Sequence, residues 1–86
     1  MSVEEKYKEN NIKVQQLVRI EIEKVKMGIS NKSIVQLESI LKELEKTLKR
    51  NNLPLSYPRY IVDSWDFQDK LGIELLNLAE LYERWK

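Results

Sequence analysis

With 86 residues and a net charge of +1, the chain fits one small domain, and its 42% hydrophobic and 34% charged residues exclude a disordered tail. No apolar run approaches the roughly 20 residues that span a bilayer, and the charged amino terminus lacks the apolar part of an export signal, so we expect a soluble cytoplasmic protein. Because histidine and cysteine are both absent, the commonest general base, the thiol nucleophile and the usual zinc ligands are missing, and we expect neither an enzyme nor a cofactor.

The first predicted helix covers residues 3–27. Ser2 followed by Glu5 is typical of a capping box, and apolar residues then recur at spacings of three and four up to a glycine that can end the helix. Valine and isoleucine at even positions would also fit a strand, but the length and the caps favour a helix. The pair Asn10-Asn11 leaves open a kink or a frayed first turn.

The second predicted helix covers residues 31–50. Ser30 is the expected N-cap, and Ile29 and Ile34 on either side of it have the spacing of a hydrophobic staple. Leucines then follow in regular alternation of three and four, which indicates one buried face. Pro54 lies just beyond the expected end and cannot continue the helix.

The third predicted helix covers residues 67–85, with Asp66 as its expected N-cap. Leucines and aromatic residues form a wide apolar face along it, which indicates burial against two neighbours. Ile73, Leu76 and Leu81 are candidates for an exposed patch on this helix, where they would serve a dimer or another partner.

These three helices predict an all-α fold with one domain, residues 1–86. We expect a small antiparallel three-helix bundle, in which a long helical hairpin is closed by the third helix. Residues 51–66 are the expected connector, and they hold both prolines of the chain. Because each proline biases the residue before it away from the helical conformation, we expect an extended, stiff segment that crosses the bundle.

The connector is the one segment that helical periodicity does not explain, and its aromatic and acidic residues indicate a recognition surface. The candidate partner-binding residues are Tyr57, Arg59, Tyr60, Asp63, Trp65 and Asp66. The alternative is that the aromatic residues of the connector fold inward and close the open end of the bundle, because a long connector must bury something to be ordered.

Asp63, Asp66 and Asp69 follow each other at intervals of three, which raises the question of a Mg²⁺ or Ca²⁺ site. The ligand spacing of a calcium loop is missing. Capping of the following helix accounts for Asp66 and Asp69 without any ligand, so we expect no metal site.

The function that these features favour is a non-enzymatic protein-binding module. Residues 53–86 hold four Lys or Arg against six Asp or Glu, so the partner would be basic, and a small inhibitor of the antitoxin or immunity type is one instance. The alternative is a structural element that forms homodimers through its third helix. A nucleic-acid-binding regulator is a remote alternative because the third helix is acidic, and mixed-sign helix faces predict no membrane binding.

Overall fold

The computed structural model describes residues 2–86 and shows an all-α protein with four helices in that range. They are α1 (Val3–Lys26), α2 (Ile34–Thr47), α3 (Tyr57–Ser64) and α4 (Lys70–Trp85). No strand occurs in residues 2–86, so the helical interpretation of the first segment is confirmed. In the same range, no helix is long and apolar enough to cross a membrane.

The first helix follows the prediction closely. The Ser2 hydroxyl accepts a hydrogen bond of 3.1 Å from the backbone N–H of Glu5, as expected of an N-cap. The helix continues through Asn10-Asn11 without a break. It ends where Gly28 takes a positive φ of 78°, a conformation that favours glycine.

The predicted start of the second helix is wrong by one turn. Ser33, not Ser30, is the N-cap, and its hydroxyl accepts a bond of 3.3 Å from the backbone N–H of Gln36. Ile29 is 68% exposed and forms no staple. The physical reason lies in Lys32, whose ammonium binds Glu21 on α1 and so holds the residues before Ser33 in the turn between the two helices.

The prediction of an extended connector is also wrong, because residues 57–64 form the helix α3. Pro58 lies in the first turn of this helix, where a missing N–H breaks no intrahelical bond. The cap comes from another helix: the carboxylate of Glu43 on α2 accepts hydrogen bonds from the Ser56 hydroxyl, from the Ser56 N–H at 2.7 Å and from the Tyr57 N–H at 3.4 Å. A negative charge at this end also suits the helix dipole.

The last helix begins three residues later than predicted. Asp69 is its N-cap and accepts a bond of 3.0 Å from the N–H of Gly72. Asp66 was the expected cap, but it belongs to the preceding turn, where its side chain accepts a bond of 2.8 Å from the N–H of Gln68. Both aspartates accept a hydrogen bond from a backbone N–H, but Asp69 and not Asp66 is the N-cap of α4.

The four helices pack in a ring in which each contacts two others, and α1 makes the most extensive contacts. It lies against both α2 and α4, and α3 lies against α2 and α4, whereas α2 and α4 do not approach each other within 8 Å between Cα atoms. The buried apolar core is continuous across all four helices and contains Tyr7, Val14, Val18, Ile22, Leu37, Ile40, Leu44, Tyr57, Ile61, Leu71, Leu75, Leu78, Ala79 and Tyr82. The hydroxyl of Tyr82 also fastens the segment before α3, since it binds both the N–H and the carbonyl of Leu53.

A chain of buried polar groups joins α1 to α2. The amide of Asn11 donates to the carbonyl of Leu44 and to the hydroxyl of Tyr7, both at 3.0 Å, and accepts from Gln15 at 2.6 Å. The Tyr7 hydroxyl in turn lies 2.8 Å from the hydroxyl of Thr47. Because a slip between the helices would leave several of these groups without partners, the chain specifies how α1 and α2 align.

The neighbouring asparagines give a direct test of this role. We expect Asn11→Ala to lower the free energy of unfolding by about 2 kcal/mol or more, because it strands buried donors and acceptors at fully buried positions. Asn10→Ala is the matched control: its amide binds only a carbonyl on its own helix, so the change should stay within about 0.5 kcal/mol. Urea denaturation measures both, and equal effects would contradict a structural role for Asn11.

Candidate functional site

A narrow groove of about 130 Å³ runs between α3 and α4, and we name it the α3–α4 groove. Its lining is formed by Ile61, Val62, Trp65, Asp66, Phe67, Gly72, Ile73 and Leu76. Six of these eight residues are apolar and come from α3, from the turn after it and from the first half of α4. The groove is therefore an apolar surface feature that no single helix forms alone.

Two residues of this lining are exposed far beyond what folding requires. Phe67, in the turn before α4, has 86% of its surface exposed, and Val62, on α3, has 70%. Ile73 beside them is 43% exposed, whereas Ile61 is buried beneath them in the core. One exposed apolar residue is ordinary in a small protein, but several around one depression are typical of an interaction site.

Gly72 allows α3 and α4 to come close enough to form the groove. A Cβ atom at this position would lie 3.2 Å from Cε3 of Trp65 and 3.3 Å from Cγ2 of Ile61, both tighter than an ordinary van der Waals contact. The absence of a side chain lets Trp65 approach α4 closely. The indole ring then forms one wall of the groove.

Trp65 also contacts a cluster of charges. The ammonium of Lys32 lies 5.1 Å from the indole ring centre, 2.7 Å from Oδ2 of Asp69 and 3.2 Å from Oε2 of Glu21. All three charged side chains are largely buried, with 13–21% of their surface exposed. We name Glu21, Lys32, Trp65 and Asp69 the Lys32 cluster. It ties the wall of the groove to α1, to the turn before α2 and to the cap of α4.

Burial alone would raise the pKa of the Asp69 carboxyl, but the hydrogen bonds from Lys32 and from the Gly72 N–H outweigh it, so this pKa lies below its ordinary value. The pKa of Glu21 is lowered in the same way, since the bonds from Ser30 and Lys32 exceed the effect of burial. For Lys32, burial lowers the pKa, and the bonds to the two carboxylates raise it above its ordinary value. The cluster is therefore fully charged near neutral pH.

Of the candidate partner-binding residues, Trp65 and Asp66 line the groove and Tyr57 does not. Tyr57 is fully buried, and its hydroxyl donates a hydrogen bond of 3.0 Å to the carbonyl of Leu75 on α4. Burial also raises the pKa of this hydroxyl, so it stays protonated. Tyr57 belongs to the core and is not accessible to a partner.

The remaining three residues of that set lie outside the groove lining. Tyr60 is 42% exposed. Arg59 and Asp63 are one helical turn apart on α3, and their charged groups are 3.9 Å apart with 91% and 66% of the side chains exposed. Such an exposed ion pair contributes little to stability. These side chains are available on the surface beside the groove.

The candidate dimer residues divide between two places. Ile73 and Leu76 line the α3–α4 groove, so two of the three predicted dimer residues share one feature with Trp65 and Asp66. Leu81 lies in a different depression, between α1 and α4. The sequence does not single out Val62 and Phe67 as site residues, because nothing in the local pattern shows that they line a groove.

The three aspartates do not lie together in one cluster. In residues 2–86, no group of three or more acidic side chains lies close enough together to hold a metal ion. Asp69 is engaged by Lys32, and Asp63 lies beside Arg59. Their spacing in the sequence therefore reflects the turn between α3 and α4.

Comparisons of the chain with protein-family models, with curated proteins and with solved structures find no match. The groove between α3 and α4, with the charges around it, is therefore the basis on which a function can be proposed.

The Lys32 cluster predicts how stability depends on pH. The carboxyl pKa values are lower in the folded than in the unfolded chain, so the stabilisation is present above their ordinary values, 3.8 for Asp69 and 4.5 for Glu21, and is lost as the pH falls through the folded values. We expect the free energy of unfolding to decrease on acidification from about pH 6 to about pH 3, and to decrease less in Asp69→Asn, which keeps an N-cap side chain but removes the charge.

Urea denaturation at a series of pH values measures this difference. Asp66→Asn is the matched control, because Asp66 lies in the turn with its side chain exposed and no ion pair within residues 2–86. Its pH profile should follow that of the unaltered chain. Identical profiles for all three proteins would show that the cluster does not stabilise the fold.

Proposed function

We propose that this chain is a non-catalytic protein-binding module that uses the α3–α4 groove to bind an apolar segment of a basic protein. The observation that carries the proposal is the exposure of Phe67 and Val62 around an apolar depression. One wall of this depression is Trp65, whose ring contacts the ammonium of Lys32. A rigid aromatic wall presents its surface to a partner at low entropic cost. Interfaces of this kind have an apolar centre with a charged rim.

The charges beside the groove favour a basic partner. Asp66 is part of the lining, and Asp63 is exposed on the last turn of α3. Arg59 is the one cation on α3, and it lies beside Asp63. A partner that places lysines or arginines around an inserted apolar side chain would meet complementary charge, which increases both the rate of association and the specificity.

A homodimer through the same groove is less well supported by the charges. A two-fold axis makes the same patch meet itself, so the acidic rim of one copy would face the acidic rim of the other. Like charges across an interface oppose association. An inhibitor that covers a basic surface of another protein is one role that such a module could fill.

Replacement of exposed apolar residues tests the proposal without disturbing the core. We expect Phe67→Ser and Val62→Ser each to weaken binding of the native partner at least tenfold, because an apolar anchor at the centre of an interface contributes about 1.4 kcal/mol or more. Val35→Ser is the matched control, since Val35 is 76% exposed on α2 and does not line the groove. The partner is isolated by affinity capture from native cells, and its purified form is titrated against each variant by calorimetry.

The salt dependence of the same titrations checks the charge argument. Binding should weaken as the salt concentration rises, and Asp66→Lys should reduce affinity while leaving the circular dichroism spectrum unchanged. A partner that binds the Phe67 and Val62 variants as tightly as the Val35 variant would place the interface elsewhere. Light scattering that shows a dimer dissociated by Phe67→Ser would assign the groove to a second copy of the chain.

A further inference from the structure

A second groove runs between α1 and α4, and we name it the α1–α4 groove. It consists of two hollows that share Glu74. One, of about 330 Å³, is lined by residues that include Lys6, Val14, Leu78 and Leu81, and the other, of about 180 Å³, is lined by residues that include Leu17, Ile20, Lys70 and Leu71. Because α4 turns by about 100° per residue, these residues lie on a different face of α4 from Ile73 and Leu76.

The size of the α1–α4 groove fits a helix. Lys70 and Arg84, at its two ends on α4, are fourteen residues apart, which corresponds to about 21 Å along the helix axis. Leu17 and Ile20 form an apolar shoulder and are 41% and 52% exposed, although they belong to the longest helix of the fold. An amphipathic helix of about four turns spans this length, and its apolar side chains would meet Leu17 and Ile20 in the hollow near Lys70.

The charges along the groove alternate in sign. α1 and α4 are antiparallel, and the Trp85 indole near the end of α4 donates a hydrogen bond of 3.1 Å to Glu4 near the start of α1. One end of the groove therefore has Lys24 and Lys70, and the other end has Lys6 and Arg84. Glu74 lies between these ends. Within residues 2–86, no ion pair engages Lys6, Lys24, Lys70 or Glu74.

The other charged residues of this groove are already paired. Arg84 lies 3.8 Å from Glu80, and Glu21 is bound to Lys32. The unpaired charges therefore form a positive, negative, positive pattern along the groove. A second copy of the chain does not fit this pattern, because an antiparallel two-fold arrangement would bring Lys24 and Lys70 against the partner's Lys6 and Arg84. A helix with carboxylates near both ends does fit it.

We propose that the α1–α4 groove is a second interaction surface, which binds an amphipathic helix of another protein with acidic residues near both ends. The apolar stripe of that helix lies on Leu17 and Ile20, and its carboxylates face the lysines at the ends of the groove. This inference does not depend on the α3–α4 groove. The domain then joins two different partners through two faces of α4.

Two synthetic peptides test the proposal on the full chain. Both are fluorescently labelled, helix-stapled fourteen-residue peptides with the same leucine stripe; one has glutamates at both ends and a central lysine, and the other has these charges reversed. We expect the glutamate-ended peptide to bind at least ten times more tightly in fluorescence anisotropy titrations. The double variant Lys6→Glu and Lys70→Glu should reverse that preference.

These substitutions should preserve the fold, because both residues lie in the first turns of their helices, where an acidic side chain suits the dipole. Circular dichroism checks this. The matched control is Lys42→Glu with Lys49→Glu, which changes the net charge equally at exposed positions outside the groove and should leave the preference unchanged. Val62→Ser should also leave it unchanged, which separates this surface from the α3–α4 groove.

The proposal is overturned if neither peptide binds, if both bind equally, or if the control double variant shifts the preference as much as Lys6→Glu with Lys70→Glu. It is also overturned if Val62→Ser abolishes peptide binding, because the peptide would then occupy the other groove. Light scattering gives the last outcome: a dimer that Leu17→Asp dissociates would show that a second copy covers this face.

Discussion

The extensive packing of α1 against α2 and α4 is the constraint on which the rest of the structure depends. Both α2 and α4 pack against it, yet they do not reach each other, so the space between them must be closed by something else. If the space between α2 and α4 stayed open, core side chains such as Leu75 would be exposed to water. α3 closes most of this space with Tyr57 and Ile61, and the segment before it, fastened by Tyr82 at Leu53, closes the rest.

The α3–α4 groove follows from how little α3 can cover. With eight residues, α3 turns only one narrow apolar face inward, and Val62 is left outside. Gly72 lets Trp65 approach α4, and the ammonium of Lys32 contacts the indole ring. Since Asp69 is both the cap of α4 and a partner of Lys32, the same carboxylate stabilises the helix and positions the wall of the groove.

The long helices could be predicted because each carries its own periodic apolar face, and Ser2 acts locally as a cap. α3 could not be recognised in this way, because its cap, Glu43, lies 13 residues earlier in the chain from Ser56 and becomes a cap only after α2 has packed. The burial of Asn11 has the same origin, since its partners lie on another helix. Four residues of the lining could be predicted individually as candidates for an interaction surface: Trp65, Asp66, Ile73 and Leu76. The groove that joins them could not be predicted, because it requires α3.

The net charge of +1 conceals two surfaces of opposite character on α4. Ile73 belongs to the groove with acidic residues beside it, and the next residue, Glu74, belongs to the groove with lysines at both ends. A basic ligand of the first proposed surface would meet the lysines at the ends of the second, so the two would discriminate by repulsion as well as by attraction.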